Sequence, residues 1–544
     1  MRTAAKIIAL VAVSTICLMA QVTIQGKIVG LVSDPQNAVI PGAEVLLRNV
    51  DTGIEARTET GTAGEYVFPN LIAGRYQVTV TTPGFKQTQS PVSQLENGIT
   101  LRINLMLEVG EITQQVTIDA TVPLVHTDDA DVNTVLQSKV VADLPIVGRN
   151  FLNYASVMPQ FNSGTGSTTR SSWGLASATM PGGKTFNLGG TEYGVGYYVD
   201  GVNNSDNWVE GPTTNVNMDA VQEVKADVVN YSAEYGRDVG QLSITTKSGT
   251  NQLHGTAYDY RQVNGLNARD PYDKFLDPNR GRDGWHQDQY GFTAGGPVWI
   301  PKVFNGRNKA FFFTSWERLR RRGQSSFLAY TPTEAERQGD FSEWLQRYPG
   351  NASMILYDPY SFNVETQERT PYPNNHISNV NSKAADYLSH FPLPNYTSTV
   401  SSEIANYRGR GATGVNNDNF SARLDYWITE RDRIYFKYTR DTGSKLNQAG
   451  LIPDMTLGNG PVHKTQDFSW HWTRTFTPTM TNEAIVGYMK GRNLSESPDV
   501  INRLMSVSWY TDLLKNISVP SGGLTEFDKN QLQVKSDSLY ALSL

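Results

Sequence analysis

The side chains that carry most enzyme chemistry are scarce in this chain and poorly spaced for it. Its 544 residues hold 7 His and 1 Cys. A helix-borne zinc site needs ligands one turn apart, and neither His-Glu-x-x-His nor His-x-x-Glu occurs. Gly182-Gly183-Lys184-Thr185 has the ending of a phosphate loop, but Ala178 stands where such a loop requires glycine, so the stretch reads as a turn. A Gly-x-Ser-x-Gly elbow is absent. Asp200, Asn203, Asn204 and Asp206 would offer oxygens to calcium, yet their spacing is not that of an EF-hand loop, and a plain turn accounts for them better. Two groups fit binding rather than catalysis. Arg318, Arg320, Arg321 and Arg322 either meet phosphate through planar multidentate guanidinium groups or form a solvated loop edge. Trp344, Tyr357, Tyr360, Tyr372 and Tyr387 lie among prolines in a long insertion, where aromatics either capture a sugar or peptide or pack the loop itself. No catalytic residue, cofactor or metal site is expected.

The framework that must carry these groups is β. Charged residues make up 18% and aromatics 10% of the chain, with 47 Gly and 26 Tyr, a balance suited to a large β protein with one wet face. A net charge of −6 argues against a nucleic-acid partner. Arg2 and Lys6 precede an apolar run, residues 7–20, ending in the small Ala20; residues 1–20 read as a secretory signal, too short for a confident membrane span. Cys17 would leave with that signal, so the exported chain needs no disulfide framework. No later run of 18 apolar residues suggests an ordinary membrane helix.

Short strands separated by turns fill residues 22–107, with candidates at 26–32, 43–49, 55–59, 65–69, 74–81 and 99–107. Such a pattern predicts a small β-sandwich. Residues 224–260 are also β throughout: an alternating run from Val224, a Tyr/Gly-rich turn, a second run over 240–246, a polar hinge over 247–251 and a new strand. From there on, Phe420, Ala422, Leu424 and Tyr426 alternate with Ser421, Arg423 and Asp425, and Phe468, Trp470 and Trp472 alternate with Ser469, His471 and Thr473. One aromatic face and one polar face is what a lipid-facing barrel demands. Strands are expected at 252–261, 289–299, 309–318, 418–427, 433–440, 465–475 and 482–490. Their connections run long, short, very long, short, long, short, as outer loops and periplasmic turns do.

Three stretches carry a family resemblance. AEYGRDVGQLSITTKSGTNQLHG resembles the plug–barrel junction of TonB-dependent outer-membrane receptors, Oar-like group, and within it Tyr235, Gly236, Arg237, Lys247, Ser248, Gly249 and Thr250 mark the junction. Tyr197-Tyr198-Val199-Asp200-Gly201-Val202 resembles a plug strand and its turn. IPGAEVLLRN with GEYVFPNL and GRYQVTVTTPGF resembles the carboxypeptidase-regulatory-like domain, a non-catalytic transthyretin-like sandwich. Glu111, Ile112, Thr113, Val116 and Thr117 loosely resemble a TonB box, an extended segment suited to strand addition, although they would serve equally as the last sandwich strand.

The resemblance implies an all-β architecture: a sandwich over 22–107, a linker with the possible TonB box over 108–122, a mixed but mainly β plug over 123–250, and the N-terminal part of a transmembrane barrel over 251–544 with an extracellular insertion at 323–417. It implies an outer-membrane receptor of a Gram-negative bacterium, sandwich and plug on the periplasmic side, taking up a large ligand such as an oligosaccharide, peptide or metal chelate. Its partners would be TonB with its inner-membrane energising complex, outer-membrane lipid and lipopolysaccharide, and that ligand, contacted by loop aromatics including Trp344, Tyr357 and Tyr360. An adhesion protein, or an exported carbohydrate-binding protein using the sandwich, is the alternative. Barrels of this kind have about 22 strands; seven are placed here and the chain ends in Leu544, so a C-terminal truncation is expected.

Overall fold

The computed structural model describes residues 25–110, 115–117, 132–144, 149, 158, 161–163, 186–188, 195–205, 212–229, 240–266, 284–397, 405–447, 459–477, 480–494, 535–536 and 541–543. The secretory signal, the phosphate-loop-like turn, Asp206, Glu111–Thr113 and Tyr235–Arg237 fall outside them.

The first domain contains β1 (Gly26–Ser33), β2 (Glu44–Asn49), β3 (Glu55–Glu59), β4 (Glu65–Leu71), β5 (Gly74–Thr81), β6 (Gln87–Gln89), β7 (Ser93–Leu95), β8 (Thr100–Arg102), β9 (Leu105–Met106) and β10 (Gln115–Thr117). Alternation along β1, β2 and β5 sends Ile28, Val32, Val45, Leu47, Tyr76, Val78 and Val80 to one shared core between two sheets, ordered β4-β1-β8 with β9, and β10-β6-β5-β2-β3 with β7. Tyr66 lies in that core because its hydroxyl reaches the Ile103 carbonyl at 2.6 Å. One sequence expectation is corrected. The strand expected over 99–107 is broken at Ile103 and Asn104 into β8 and β9, which pair parallel with successive parts of β1. Residues 115–117, for which a linker and a last sandwich strand were both open, form β10, bonded parallel to β6.

The second domain is a five-stranded mixed sheet ordered β11-β16-β17-β14-β15, formed by β11 (Val132–Gln137), β14 (Val195–Val199), β15 (Val202–Asn203), β16 (Val221–Val229) and β17 (Gly240–Thr246). A small pair, β12 (Phe161–Ser163) and β13 (Phe186–Leu188), and the helix Ser138–Asp143 accompany it. Val199, Val221, Val224, Ala226, Leu242 and Ile244 form its core.

The third domain is an antiparallel meander: β18 (His254–Val263), β19 (Trp285–Pro297), β22 (Ala310–Ala329), β23 (Tyr407–Trp427), β24 (Asp432–Asn447), β25 (Asn459–Thr477) and β26 (Met480–Leu494), with short pieces β27 (Lys535–Ser536) and β28 (Ala541–Ser543) on β26. A hairpin of β20 (Trp299–Ile300) and β21 (Phe304–Asn305) fills one turn. Odd positions from β19 to β26 face the five-stranded sheet and are mostly polar, with Phe311, Phe313, Leu319, Ile485 and Met489 as buried apolar exceptions; even positions face away and carry most of the aromatic residues near the short turns. The strand ends at the short turns agree with expectation to within a few residues. Most of the other ends do not, the far end of β18 excepted. β22 and β23 were expected to stop at 318 and start at 418, but their ladder continues to Ala329↔Tyr407, so the insertion proper is 330–406. Backbone pairing continues there because polar strands projecting beyond a lipid layer still gain from the ladder, whereas the pattern of apolar residues that signals a strand stops at the lipid boundary.

Candidate functional site: the seam between inner sheet and barrel

Three strand stretches converge on one buried carboxylate. Asp200 and Gly201 make the turn from β14 to β15 with φ of 49° and 78°, the paired left-handed conformations that an Asp-Gly turn supplies. The turn aims Asp200 out of the inner sheet. Its Oδ1 accepts from the Thr246 backbone N–H at 2.8 Å, while its Oδ2 accepts from the Thr246 hydroxyl at 2.7 Å and from Lys437 Nζ at 2.8 Å. Arg423 Nη1 stands 3.6 Å away.

The barrel side follows from period two. Arg423 and Asp425 are neighbours on the odd face of β23, as are Arg433, Tyr435 and Lys437 on β24. Arg423 grips Asp425 in a fork, Nε to Oδ2 at 2.8 Å and Nη2 to Oδ1 at 3.0 Å, and donates to the Thr246 carbonyl at 3.2 Å. Arg433 adds a contact to Asp425 at 3.4 Å. Both guanidinium groups lie over the Tyr435 ring, at 4.1 and 5.1 Å from its centroid. All five charged side chains are buried, so each charge depends on its partners. Burial alone would raise the Asp200 carboxyl; Lys437 and Arg423 more than offset this and hold it well below the usual carboxylate range.

The junction residues join the same network. Ser248 donates to Asp425 Oδ2 at 2.9 Å. Lys247 Nζ donates to the Asp219 carbonyl at 2.9 Å, and burial lowers its amine against the pull of Asp219. At Gly249 the chain passes so close to the barrel that a Cβ would lie 2.3 Å from the Phe312 carbonyl oxygen, which only glycine avoids. Thr250 turns away to the Gln252 carbonyl at 3.1 Å.

A second anchor lies farther along the barrel. Asp441 Oδ2 accepts from the backbone and side chain of Asn215 at 3.2 and 3.0 Å and meets His463 Nε2 at 3.0 Å, and Asn419 Nδ2 donates to the Asn215 carbonyl at 2.7 Å. A third joins Arg149 to Asp219, with Arg149 over the Tyr260 ring at 4.2 Å. Between these anchors the seam is polar but incompletely bonded: side-chain atoms of Ser243, Thr465, Ser469 and both ring nitrogens of His471 have no partner among the described residues. A seam of this kind separates at lower cost than an apolar core.

The oxygens weighed as calcium ligands are engaged elsewhere. Asn203 Oδ1 accepts from Ser205 N–H at 2.7 Å and Asn204 Oδ1 from Thr214 N–H at 2.9 Å, while Asp200 is bonded as above. Among the described residues no group of three or more His, Cys, Asp or Glu side chains is arranged to hold a metal.

The loop aromatics divide. Trp344 Nε1 donates to Glu336 at 2.5 Å, and its ring meets Phe341 edge-on at 5.6 Å, so it holds the insertion together rather than facing outward. Tyr357 is 44% exposed beside Pro371, and Tyr360 is 96% exposed. Of the TonB-box residues only Val116 and Thr117 are described, both in β10. Sequence reasoning noted the Asp200 turn and the polar face of β23 but not that they meet; the excess of cations on the odd face of β24 was the available signal.

A family model described as an outer membrane beta barrel domain matches residues 245–537, and a carboxypeptidase regulatory-like domain model matches 27–108. The TonB-dependent transporter Oar of Myxococcus xanthus is 27% identical over 242 residues, 42% of this chain and 21% of Oar, so the chain spans about a fifth of the length of that curated relative. Among solved structures, a ferric enterobactin receptor (PfeA) mutant from Pseudomonas aeruginosa has a TM-score of 0.38 at 13% identity, covering 67% of this chain and 41% of that one. The outer membrane transporter YddB from Escherichia coli scores 0.41 at 11% identity, covering 66% and 39%.

Proposed function

The chain belongs to the outer membrane beta barrel domain family, whose model covers more than half of it, and from that premise we propose that it serves as a TonB-dependent receptor that moves a large ligand across the outer membrane. The observation that carries this reading is the seam: a folded sheet held against the polar face of barrel strands by a few buried charge contacts around Asp200, with underbonded polar surface between them. Such a sheet is firmly closed at rest and removable by a pull. The pull would enter through β10. Among the described residues this strand is bonded on one side only, to β6, and its open edge suits addition of a strand from TonB.

The deciding experiment is calorimetry of the full chain with the periplasmic domain of TonB, using Val116→Pro as the control. Proline removes a backbone donor from the pairing strand, so binding should fall at least tenfold, on the order of one lost hydrogen bond plus local distortion. No binding by the unaltered chain would remove the energy-coupled reading.

An adhesion role is favoured by one observation. The insertion presents Tyr360, Phe362 and Val364 at 96%, 51% and 79% exposure, a cluster that suits surface contact. Cell aggregation that survives Val116→Pro but is lost with Tyr360→Ala would select it.

A further inference from the structure

Where sandwich, inner sheet and barrel meet, there is a cavity of about 310 Å³ that holding the inner sheet in place does not call for. All three domains supply its wall: Gln25 and Ala73 from the sandwich, Thr246 and Lys247 from the inner sheet and the junction after it, Arg433 and Tyr435 from β24. Gln25, Arg433 and Tyr435 are each more than nine-tenths buried. Each also keeps one polar atom with no hydrogen-bond partner among the described residues: Gln25 Oε1, Arg433 Nε and the Tyr435 hydroxyl.

Sheet geometry brings the three side chains together. Arg433 lies opposite Thr473, and Gln25 Nε2 donates to the Thr473 hydroxyl at 2.8 Å, so Gln25 sits roughly one strand spacing, about 5 Å, from Arg433. Tyr435 follows two residues along the same face, about 7 Å on. Their roles are fixed as well. Gln25 Nε2 also donates to Glu483 Oε1 at 2.8 Å, so its own Oε1 accepts only. Arg433 Nε donates only, and the Tyr435 hydroxyl has a proton to donate beside it. A buried polar atom left unpaired costs stability. Three around one cavity favour a solute that satisfies all of them.

Charge and size narrow its chemistry. The acids on the wall are already engaged: both oxygens of Asp200 are bonded within the seam, and Asp51 is paired with Arg75. The cations are less fully neutralised, since Lys247 Nζ donates to a carbonyl oxygen and Arg433 shares Asp425 with Arg423. An anionic group therefore fits beside Arg433 and Tyr435. A carboxylate alone has no proton for Gln25 Oε1, so the same solute must also carry a hydroxyl. One water takes up about 30 Å³ of the liquid, so the cavity has room for far more than a single ion. Ile72 and Ala73 add carbon surface to the wall, which a carbon skeleton covers better than water does.

We propose that this cavity binds a small hydroxylated carboxylate, such as an open-chain sugar acid, with its carboxylate on Arg433 Nε and the Tyr435 hydroxyl and a hydroxyl on Gln25 Oε1. The wall is complete only while the three domains are docked, so the bound solute holds them together by mass action. The site requires no TonB, so its failure and that of the energy-coupled reading are separable.

The test is calorimetry of the full chain in detergent micelles with D-gluconate, compared with D-glucitol, which has a neutral hydroxymethyl group in place of the carboxylate. Gluconate should bind about tenfold more tightly than glucitol. Tyr435→Phe and Arg433→Lys should each weaken gluconate about tenfold, the size of one charge-assisted hydrogen bond. Arg431→Ser, which removes a cation at the same end of the barrel but off this wall, should bind it unchanged. A second reading needs no substitution: millimolar gluconate should slow exchange of the backbone amides of Asn97 and Asn251, which bond across the sandwich contact to Glu223 and Asp51. Equal affinity for glucitol would overturn the assignment by removing the carboxylate from it. So would unchanged binding by both wall variants, which would place the solute elsewhere, or no heat and no change in exchange with gluconate, which would leave the cavity to water.

Discussion

Asp200 shows what a single residue decides here. Replacing it with asparagine leaves Lys437 and Arg423 buried without one of their counter-charges, a loss on the order of 3–5 kcal/mol for a broken buried pair. Asp200→Asn should therefore release the inner sheet at lower denaturant, read by tryptophan fluorescence of the barrel strands. Adding Lys437→Met should recover much of that loss, because both ends of one contact are then neutral; a double variant no better than the single would show that Arg423 alone is the partner that matters. In the insertion, Trp344→Ala should cost about 2 kcal/mol by removing a half-buried ring and its bond to Glu336, whereas Tyr360→Ala should stay within about 0.5 kcal/mol; local hydrogen exchange over 330–347 separates the two. The Asp-Gly turn was legible because local backbone chemistry writes it. Its partner was not, since Lys437 lies 237 positions away and strand register over that distance is fixed by packing. Trp344 and Tyr360 look alike as sequence, and only Glu336 distinguishes the packed ring from the exposed one.

Among the elements, β16 carries a second buried carboxylate with a different consequence. Glu223 accepts from the Asn97 N–H of the sandwich at 3.0 Å and is 3% exposed. Burial, aided by Glu96, pushes its carboxyl up to about 7 from 4.5, against the Asn97 bonds and Lys225. Below pH 4.5 or so the group is neutral folded or unfolded and has no effect. Between there and about 7 the folded form holds a proton that the unfolded form has lost, so stability falls as pH rises, and above 7 the full penalty of about 3 kcal/mol is present. The chain should thus resist denaturant better at about pH 5 than at about pH 8 on this account, and Glu223→Gln should flatten that part of the profile; an unchanged slope in the variant would assign it to other groups. Element positions were largely readable from alternation, as β17 and the inner halves of β23 to β26 show. Element lengths were not. β22 runs eleven residues past its expected end because its ladder partner β23 continues with it, and Arg320, Arg321 and Arg322 carry no apolar signature of a strand.

At the scale of the molecule the sandwich, inner sheet and barrel meet through polar contacts rather than a shared core, and that sets how they should come apart. Gln25 donates to Thr473 and Glu483, each at 2.8 Å; Asn97 Nδ2 donates to Thr245 at 2.6 Å; and Asn251 joins Thr52 and Asn308, with its backbone N–H reaching the Asp51 carbonyl at 3.2 Å. These bonds place the sandwich at the short-turn end of the barrel, beside a cleft of about 510 Å³ between β3, β4 and the turn at Glu430 and Arg431. Each is worth on the order of 1 kcal/mol net, the level at which neighbouring domains separate reversibly. The seam around Asp200 is held by buried charges and should yield later. Gln25→Ala, Asn97→Ala and Asn251→Ala together should therefore loosen sandwich docking by about 3 kcal/mol, raising exchange of the backbone amides of residues 251 and 97, which bond across the contact to Asp51 and Glu223, while the exchange of Thr246, whose N–H is bonded to Asp200, stays slow. Simultaneous loosening of Thr246 would mean that the sandwich and the inner sheet are released as one unit, and that a pull on β10 would be transmitted to the seam without any prior undocking.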